Sequence, residues 1–173
     1  MADLLRIAPV ADELGTVFAA AGHQLFLIGG SVRDALLGRL EDDLDFTTDA
    51  RPEQVLRLVK GWAESIWQTG IEFGTVGLAK AGFRVEITTF RSDLYDGETR
   101  NPEVTFGDTL EGDLLRRDFA VNAMAVSVPG HTFTDPFHGL TQLAERVLDT
   151  PGTPEQSLDR KSTRLNSSHA TLS

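Results

Sequence analysis

A small mixed sheet with helices packed on it, the α/β (α+β) class, is the architecture expected of this 173-residue chain. Helical and strand-like periodicities succeed one another in the order helix, strand, helix, strand, helix, strand, hairpin, helices. Two segments, 74–78 and 83–90, alternate apolar and polar residues, and Ala81-Gly82 between them marks a hairpin. No internal repeat interrupts this order.

Each element has a local reason. Residues 9–21 carry an apolar stripe of Val10, Leu14, Val17 and Phe18, with Gly22 as a helix stop. Residues 24–28 read as a short buried strand that ends at Gly29-Gly30, and 31–37 as a helix stopped by Gly38. Residues 43–48 form the second strand. The next helix begins at Asp49-Ala-Arg-Pro52, with the proline suited to a first turn, and continues through Val55, Leu56, Leu58 and Val59 towards Trp62. Residues 65–68 read as a strand before the hairpin. The stretch 91–106 is polar and turn-rich and reads as a mobile loop, in which Tyr95 and Arg100 are expected to be solvated, with substrate contact as the alternative. Residues 109–125 read as helical overall, 132–135 as a strand, 140–144 as a short helix and 146–149 as a last strand. Trp62 and Trp67 are expected to pack in the core rather than stack on bases. His23, His131 and His138 are expected at the surface.

Composition excludes several classes. There is no cysteine, which removes a disulfide framework, a thiolate zinc site and a cysteine nucleophile. No run of 18 apolar residues is present, so no transmembrane helix is expected. The start, MADLLRIAPVADELG, has early acids and no long apolar stretch, so a signal peptide is not expected and a cytoplasmic protein is. Sixteen Lys and Arg stand against 26 Asp and Glu, a net charge of −10. A protein that holds nucleic acid by bulk electrostatics is basic, so any such contact here must be local or supplied by another part. Residues 160–173 hold Arg160, Lys161 and Arg164 and no acid, which leaves 13 basic against 26 acidic residues before them. That tail, rich in Ser and Thr, is expected to be disordered.

Four segments carry chemistry. In Asp43-Leu-Asp45-Phe-Thr-Thr, alternate residues share a face, so Asp43 and Asp45 lie side by side while Leu44 and Phe46 face the core. Two adjacent carboxylates repel unless a cation lies between them, and Mg²⁺ takes carboxylate oxygens together with phosphate oxygens. An isolated Asp-x-Asp is more often a solvated strand end. Gly29-Gly30-Ser-Val-Arg33-Asp34 follows a strand and opens a helix. Its glycines let a ligand approach the backbone, a helix start attracts phosphate, and Arg33 adds a bidentate contact. The alternative is a tight turn followed by a surface Arg33–Asp34 pair. Glu86 lies among Val85 and Ile87 on a strand. It is either simply exposed or the third acid of a two-metal site, if its strand neighbours 43–48. In Arg116-Arg117-Asp-Phe-Ala-Val-Asn122, Asp113 and Arg117 are spaced for a helical pair, or one arginine reaches a triphosphate. Asp118 and Asn122, one helical turn apart, then face a ribose or each other.

Five stretches in order, LFLIGGSVRDALLGR (25–39), DLDFTTDARPEQV (43–55), VEITTFR (85–91), DLLRRDFAVNAMA (113–125) and DPFHGL (135–140), resemble the catalytic head of the class II CCA-adding tRNA nucleotidyltransferases. These belong to the polymerase β superfamily, and bacterial poly(A) polymerases share the head. The resemblance covers about residues 5–158 and implies a polymerase β-like nucleotidyltransferase fold. It implies a head domain over 1–140 and the start of a neck connection over 141–159. Asp43, Asp45 and Glu86 take the catalytic positions, with Asp43 and Asp45 as metal ligands. Gly29, Gly30, Arg33, Arg117, Asp118 and Asn122 take nucleotide-contacting positions. Asp135 and Gly139 match a hinge motif that usually continues Asp-Leu and here reads Gln142-Leu143, with a modest effect on hinge geometry expected. The activity implied is template-independent addition of CMP and AMP from CTP and ATP to the tRNA 3′ end with two Mg²⁺. Poly(A) addition, or CC-only or A-only addition, is the alternative within the family. The family continues with a Glu-Asp-x-x-Arg helix that reads the base. Leu158-Asp159 is followed instead by RKSTRLNSSHATLS, so truncation or an artefactual tail is expected, and a nucleotide-binding fragment without catalysis is the further alternative.

Overall fold

The computed structural model describes residues 7–39, 42–92, 106–117 and 119–148. The predicted tail and most of the 91–106 loop, with Tyr95 and Arg100, lie outside the described residues, as does Asp118. The chain divides into two compact units after Gly139.

In the first unit the described strands form one mixed seven-stranded sheet. They are β1 (Leu25–Ile28), β2 (Asp43–Thr48), β3 (Ser65–Trp67), β4 (Thr75–Lys80), β5 (Phe83–Thr89), β6 (Ala125–Ser127) and β7 (Phe133–Thr134). Their order is β3-β4-β5-β2-β1-β6-β7. β2 and β5 run parallel, and every other described pair is antiparallel. The helices of this unit are α1 (Pro9–Ala20), α2 (Gly30–Leu36), α3 (Pro52–Val59) and α4 (Leu110–Leu115). In the second unit α5 (Gly139–Leu148) is the described element.

Register separates a core row from a polar row. Val76, Ile87, Phe46, Leu27 and Val126 lie opposite one another across five strands, and each is buried. One residue further along, Trp67, Gly77, Glu86 and Asp45 form the next row, on the opposite face. A one-residue slip of β2 would turn Leu44 and Phe46 to the wrong face, so burial fixes which face the acids take. The hairpin turn has φ 54° at Ala81 and 83° at Gly82, the left-handed pair that a two-residue hairpin demands.

The polar face carries its own apolar cluster. Leu110 and Leu114 of α4 pack with Ile28, Phe90, Ala123 and Ala125, against which Phe26 also lies. The Phe26 and Phe90 ring centroids are 6.2 Å apart. Thr109 caps α4 by accepting from the Gly112 amide at 3.1 Å. This anchoring sets the residues after α4 beside the strands that carry the acids.

Four expectations need correction. Residues 109–125 are not one helix: α4 ends at Leu115, a single 3₁₀ turn covers Ala120–Asn122, and Ala125–Ser127 is strand β6. β1 would otherwise expose an unpaired edge, and β6 satisfies it, so tertiary pairing overrides helical propensity. Asn122 is therefore not placed by a helical turn from residue 118. Residues 146–149 are not a strand, because α5 runs on to Leu148. The tryptophans are not in the core. Trp62 and Trp67 are half-buried, each with a cation over its ring: Lys80 Nζ at 5.0 Å and the Arg84 guanidinium at 5.3 Å. His23 is half-buried as well, with Nδ1 3.3 Å from Asp49 Oδ1.

Candidate active site

Asp45 and Glu86 are direct cross-strand partners in the β2–β5 parallel pair, and Asp43 lies opposite Arg84 two residues before. The expected conjunction of three acids on adjacent strands is therefore present. Ser31 of α2 fixes the height of this edge. Its Oγ accepts from the Asp45 amide at 2.9 Å, so the chain just after the glycine pair holds the strand that carries the acids. The Asp45 carboxyl is pushed up to about 6, first by burial, then by the Glu86 and Asp43 charges, with Arg117 acting the other way. Three like charges on neighbouring strands favour a cation between them. Among the described residues no three or more His, Asp or Glu side chains form a ready-made metal cage. A hard ion such as Mg²⁺ binds to one or two carboxylates and takes its other ligands from water and phosphate.

Beside the acids opens a cavity of about 490 Å³. Its lining brings together Gly29, Gly30, Asp45, Glu86, Arg117 and Asn122, all singled out in the sequence. Gly29 sits at φ 64° and ψ −133°, which a side chain would strain, and nothing lies within 4 Å of where its Cβ would be. The backbone there is open to a ligand. α2 has seven residues, so backbone access is the stronger contribution of this turn, ahead of any helix dipole. Arg33 does not line the cavity. Its Nε lies 3.6 Å from Asp34 Oδ1, the paired alternative though half-buried and not at the surface, and its Nη2 sits 3.3 Å from where a Gly30 Cβ would be.

Three arginines also line the cavity: Arg91, Arg116 and Arg117. Arg116 and Arg117 reach the fully buried Asp113 with their side chains, whereas Arg91 reaches it through its backbone and donates from Nη2 to Thr75 Oγ1 at 3.4 Å. Asp113 Oδ1 accepts from the Arg91 amide at 3.0 Å and lies 3.5 Å from Arg116 Nε. Asp113 Oδ2 accepts from Arg117 Nη2 at 3.1 Å. The helical pairing and the approach to the cavity thus occur together. The Nε atoms of Arg91, Arg116 and Arg117 are buried without a hydrogen-bond acceptor. Burial, then the neighbouring Arg116 charge, lowers the Arg91 pKa from its ordinary value. One carboxylate among three guanidiniums leaves a positive excess, the setting for a polyanion. Sequence reasoning gave Asp113 only a helical pairing with Arg117 and assigned no role to Arg91, Thr75 or Thr88. The available signal was an arginine directly after the strand of Glu86, but the buried hub that collects it is a long-range contact.

Residues 25–149 match the profile described as the poly A polymerase head domain. The chain belongs to this family. The head domain is 41% identical over 146 residues to a CCA-adding enzyme of Lactobacillus helveticus, covering 84% of this chain and 35% of that protein. It is 39% identical over 160 residues to one of Geobacillus kaustophilus, covering 91% and 38%. It superposes on the Bacillus stearothermophilus CCA-adding enzyme in complex with CTP with a TM-score of 0.66 and 35% identity, covering 82% of this chain and 33% of that one. A tRNA nucleotidyltransferase complexed with a primer tRNA and an incoming ATP analog gives 0.62 and 30%, covering 77% and 37%. The fold is thus that of the nucleotidyltransferase head, polymerase β-like, and the chain spans about a third of the length of the curated relatives it matches. No helix among the described residues is long and apolar enough to cross a membrane.

Proposed function

We propose that this head domain transfers CMP and AMP from CTP and ATP to the 3′ end of tRNA, the reaction for which its relatives are named. The observation that carries the proposal is Asp45 opposite Glu86, at the edge of a cavity walled by three arginines. Asp43 and Asp45 would hold Mg²⁺, with Glu86 as the third acid of the site. Bound there, the ion would lower the pKa of the attacking hydroxyl and offset charge on the triphosphate. Arg117 and its neighbours Arg116 and Arg91 bind and orient the triphosphate, with Asp113 holding them in place. Gly29 and Gly30 give the nucleotide room against the backbone, and Asn122 faces the ribose. Arg33 supports that turn from behind, and Asp118 belongs to the same ribose-recognition segment by resemblance. The acceptor 3′ oxygen forms a bond to the α-phosphorus, the α–β bridging bond breaks, pyrophosphate leaves, and the hydroxyl proton goes to solvent. A cytoplasmic location accompanies this reading.

The family description favours poly(A) addition as a second reading. One assay separates them. The chain is incubated with Mg²⁺, labelled CTP or ATP, and a tRNA transcript that lacks its last three nucleotides. Addition of C before A supports the first reading, and addition of A alone without a limit supports the second. Absence of Mg²⁺-dependent CTP and ATP binding sinks both.

A further inference from the structure

We infer that the acceptor RNA strand ends in a second cavity on the other side of the acid pair, where Arg84, seated on Trp67, contacts a phosphate of that strand. This rests on the nucleotidyl-transfer reading and assigns the place of the second substrate. The second cavity, of about 240 Å³, is lined by Asp43, Leu44, Asp45, Arg84 and Glu86. It shares two residues with the arginine-walled cavity: Asp45 and Glu86. Phosphoryl transfer proceeds with the attacking and leaving oxygens roughly in line. If the triphosphate, and so its leaving pyrophosphate, lies along Arg91, Arg116 and Arg117, the attacking oxygen must approach from the side away from them. Along β2 and β5 the second cavity is lined towards Asp43 and Arg84 and the first towards Thr88 and Arg91, with Asp45 and Glu86 between them.

Its one cation is placed for an external anion. Arg84 is exposed and lies among three carboxylates, yet among the described residues it makes no ion pair with them. Its guanidinium lies instead over the Trp67 indole, 5.3 Å from the ring centroid. Trp67 can take that position because its cross-strand partner is Gly77, where any Cβ would fall inside the indole. The indole therefore lies across β4, in the row that continues to Glu86 and Asp45. A half-buried tryptophan with an arginine on its face, on an edge strand beside the reacting groups, has the make-up of a single-strand contact. The chain is acidic overall, so a strand has no bulk attraction to rely on, and a local cation carries the contact.

The test measures two affinities on the chain in Mg²⁺. Binding of a 5′-labelled RNA hairpin with an unpaired 3′ overhang is followed by anisotropy, and binding of CTP by calorimetry. Arg84→Gln should raise the RNA Kd about five- to tenfold and lower the salt slope of RNA binding by about one, leaving the CTP Kd within about twofold. Arg84→Lys should restore the salt slope, which a merely structural role would not require. Trp67→Leu removes the seat and should weaken RNA binding as well. An unchanged RNA Kd in Arg84→Gln overturns the inference, as does an equal loss of RNA and CTP affinity. A parent chain that binds CTP but not RNA also overturns it, leaving the nucleotide site standing. A parent that binds neither takes the nucleotidyl-transfer reading down with it.

Discussion

Asp113 Oδ2 accepts from Arg117 Nη2 at 3.1 Å while its other oxygen accepts the Arg91 amide, so one buried carboxylate ties α4 to the end of β5. Removing one partner of a buried pair costs about 3–5 kcal/mol, because the remaining charges stay desolvated. Asp113→Ala is therefore expected to lower the urea midpoint sharply. Asp113→Asn keeps the acceptor oxygen and the volume, so it should cost less stability and chiefly weaken CTP binding. Equal CTP affinity in Asp113→Asn and the parent, measured by calorimetry, would show that the arginines hold their positions without this charge.

The raised Asp45 pKa has a definite sign in stability. The unfolded group ionises near 3.8 and the folded one near 6. Between those values the folded state keeps a proton that the unfolded state has lost, so this group's contribution falls as pH rises through that window. Above about 6 the penalty is complete. Asp45 keeps access to solvent through the cavity, which reduces its size. With divalent ions chelated, Asp45→Asn should melt a few degrees above the parent at pH 8 and level with it near pH 3.5. A parent that melts as high as the variant at pH 8 would contradict this.

The same acids should be dispensable for folding and indispensable for turnover. Asp43→Ala, Asp45→Ala and Glu86→Gln are each expected to reduce Mg²⁺-dependent nucleotide incorporation to background in the tRNA assay. Their circular dichroism should match the parent, because relief of like-charge repulsion rarely destabilises. A double Asp43→Ala, Asp45→Ala variant with near-parent incorporation would remove the metal-site assignment.

Gly15 sets two effects against each other. Alanine in a helix interior is favoured over glycine by about 1 kcal/mol. A Cβ at Gly15, however, would sit 2.5 Å from the Val128 carbonyl carbon and oxygen and 2.7 Å from Pro129 N. Those are backbone atoms and cannot swing aside, and overpacking of this kind costs about 1–3 kcal/mol. Gly15→Ala should therefore lower the thermal midpoint. A rise would mean that α1 can shift away from the chain after β6 at little cost.

What was legible in the sequence follows from the range of the interactions. Asp43, Asp45 and Glu86 were legible because strand alternation is local, and apolar Leu44, Phe46, Val85 and Ile87 declare which face is inward. The hairpin at Ala81-Gly82 was legible for the same reason. The break after Leu115 was not, since the edge of β1 that draws in Ala125–Ser127 lies far away in sequence. Asp113 was read as a helix-surface acid, and only the packing of Leu110 and Leu114 on Phe90 and Ile28 buries it. The position of Trp67 was missed because it depends on a missing Cβ at Gly77, on another strand.

The parallel pairing of β2 with β5 also fixes when the site can exist. A parallel pair cannot close through a tight turn and needs a long crossover, here α3, β3 and β4. A nascent chain that has emerged only as far as α3 already carries Asp43 and Asp45, but no opposing acid and no arginine wall. The acid pair is thus assembled late, after most of the sheet has its order. The place of Asp45 opposite Glu86 is set by the β2–β5 ladder itself, six residue pairs long.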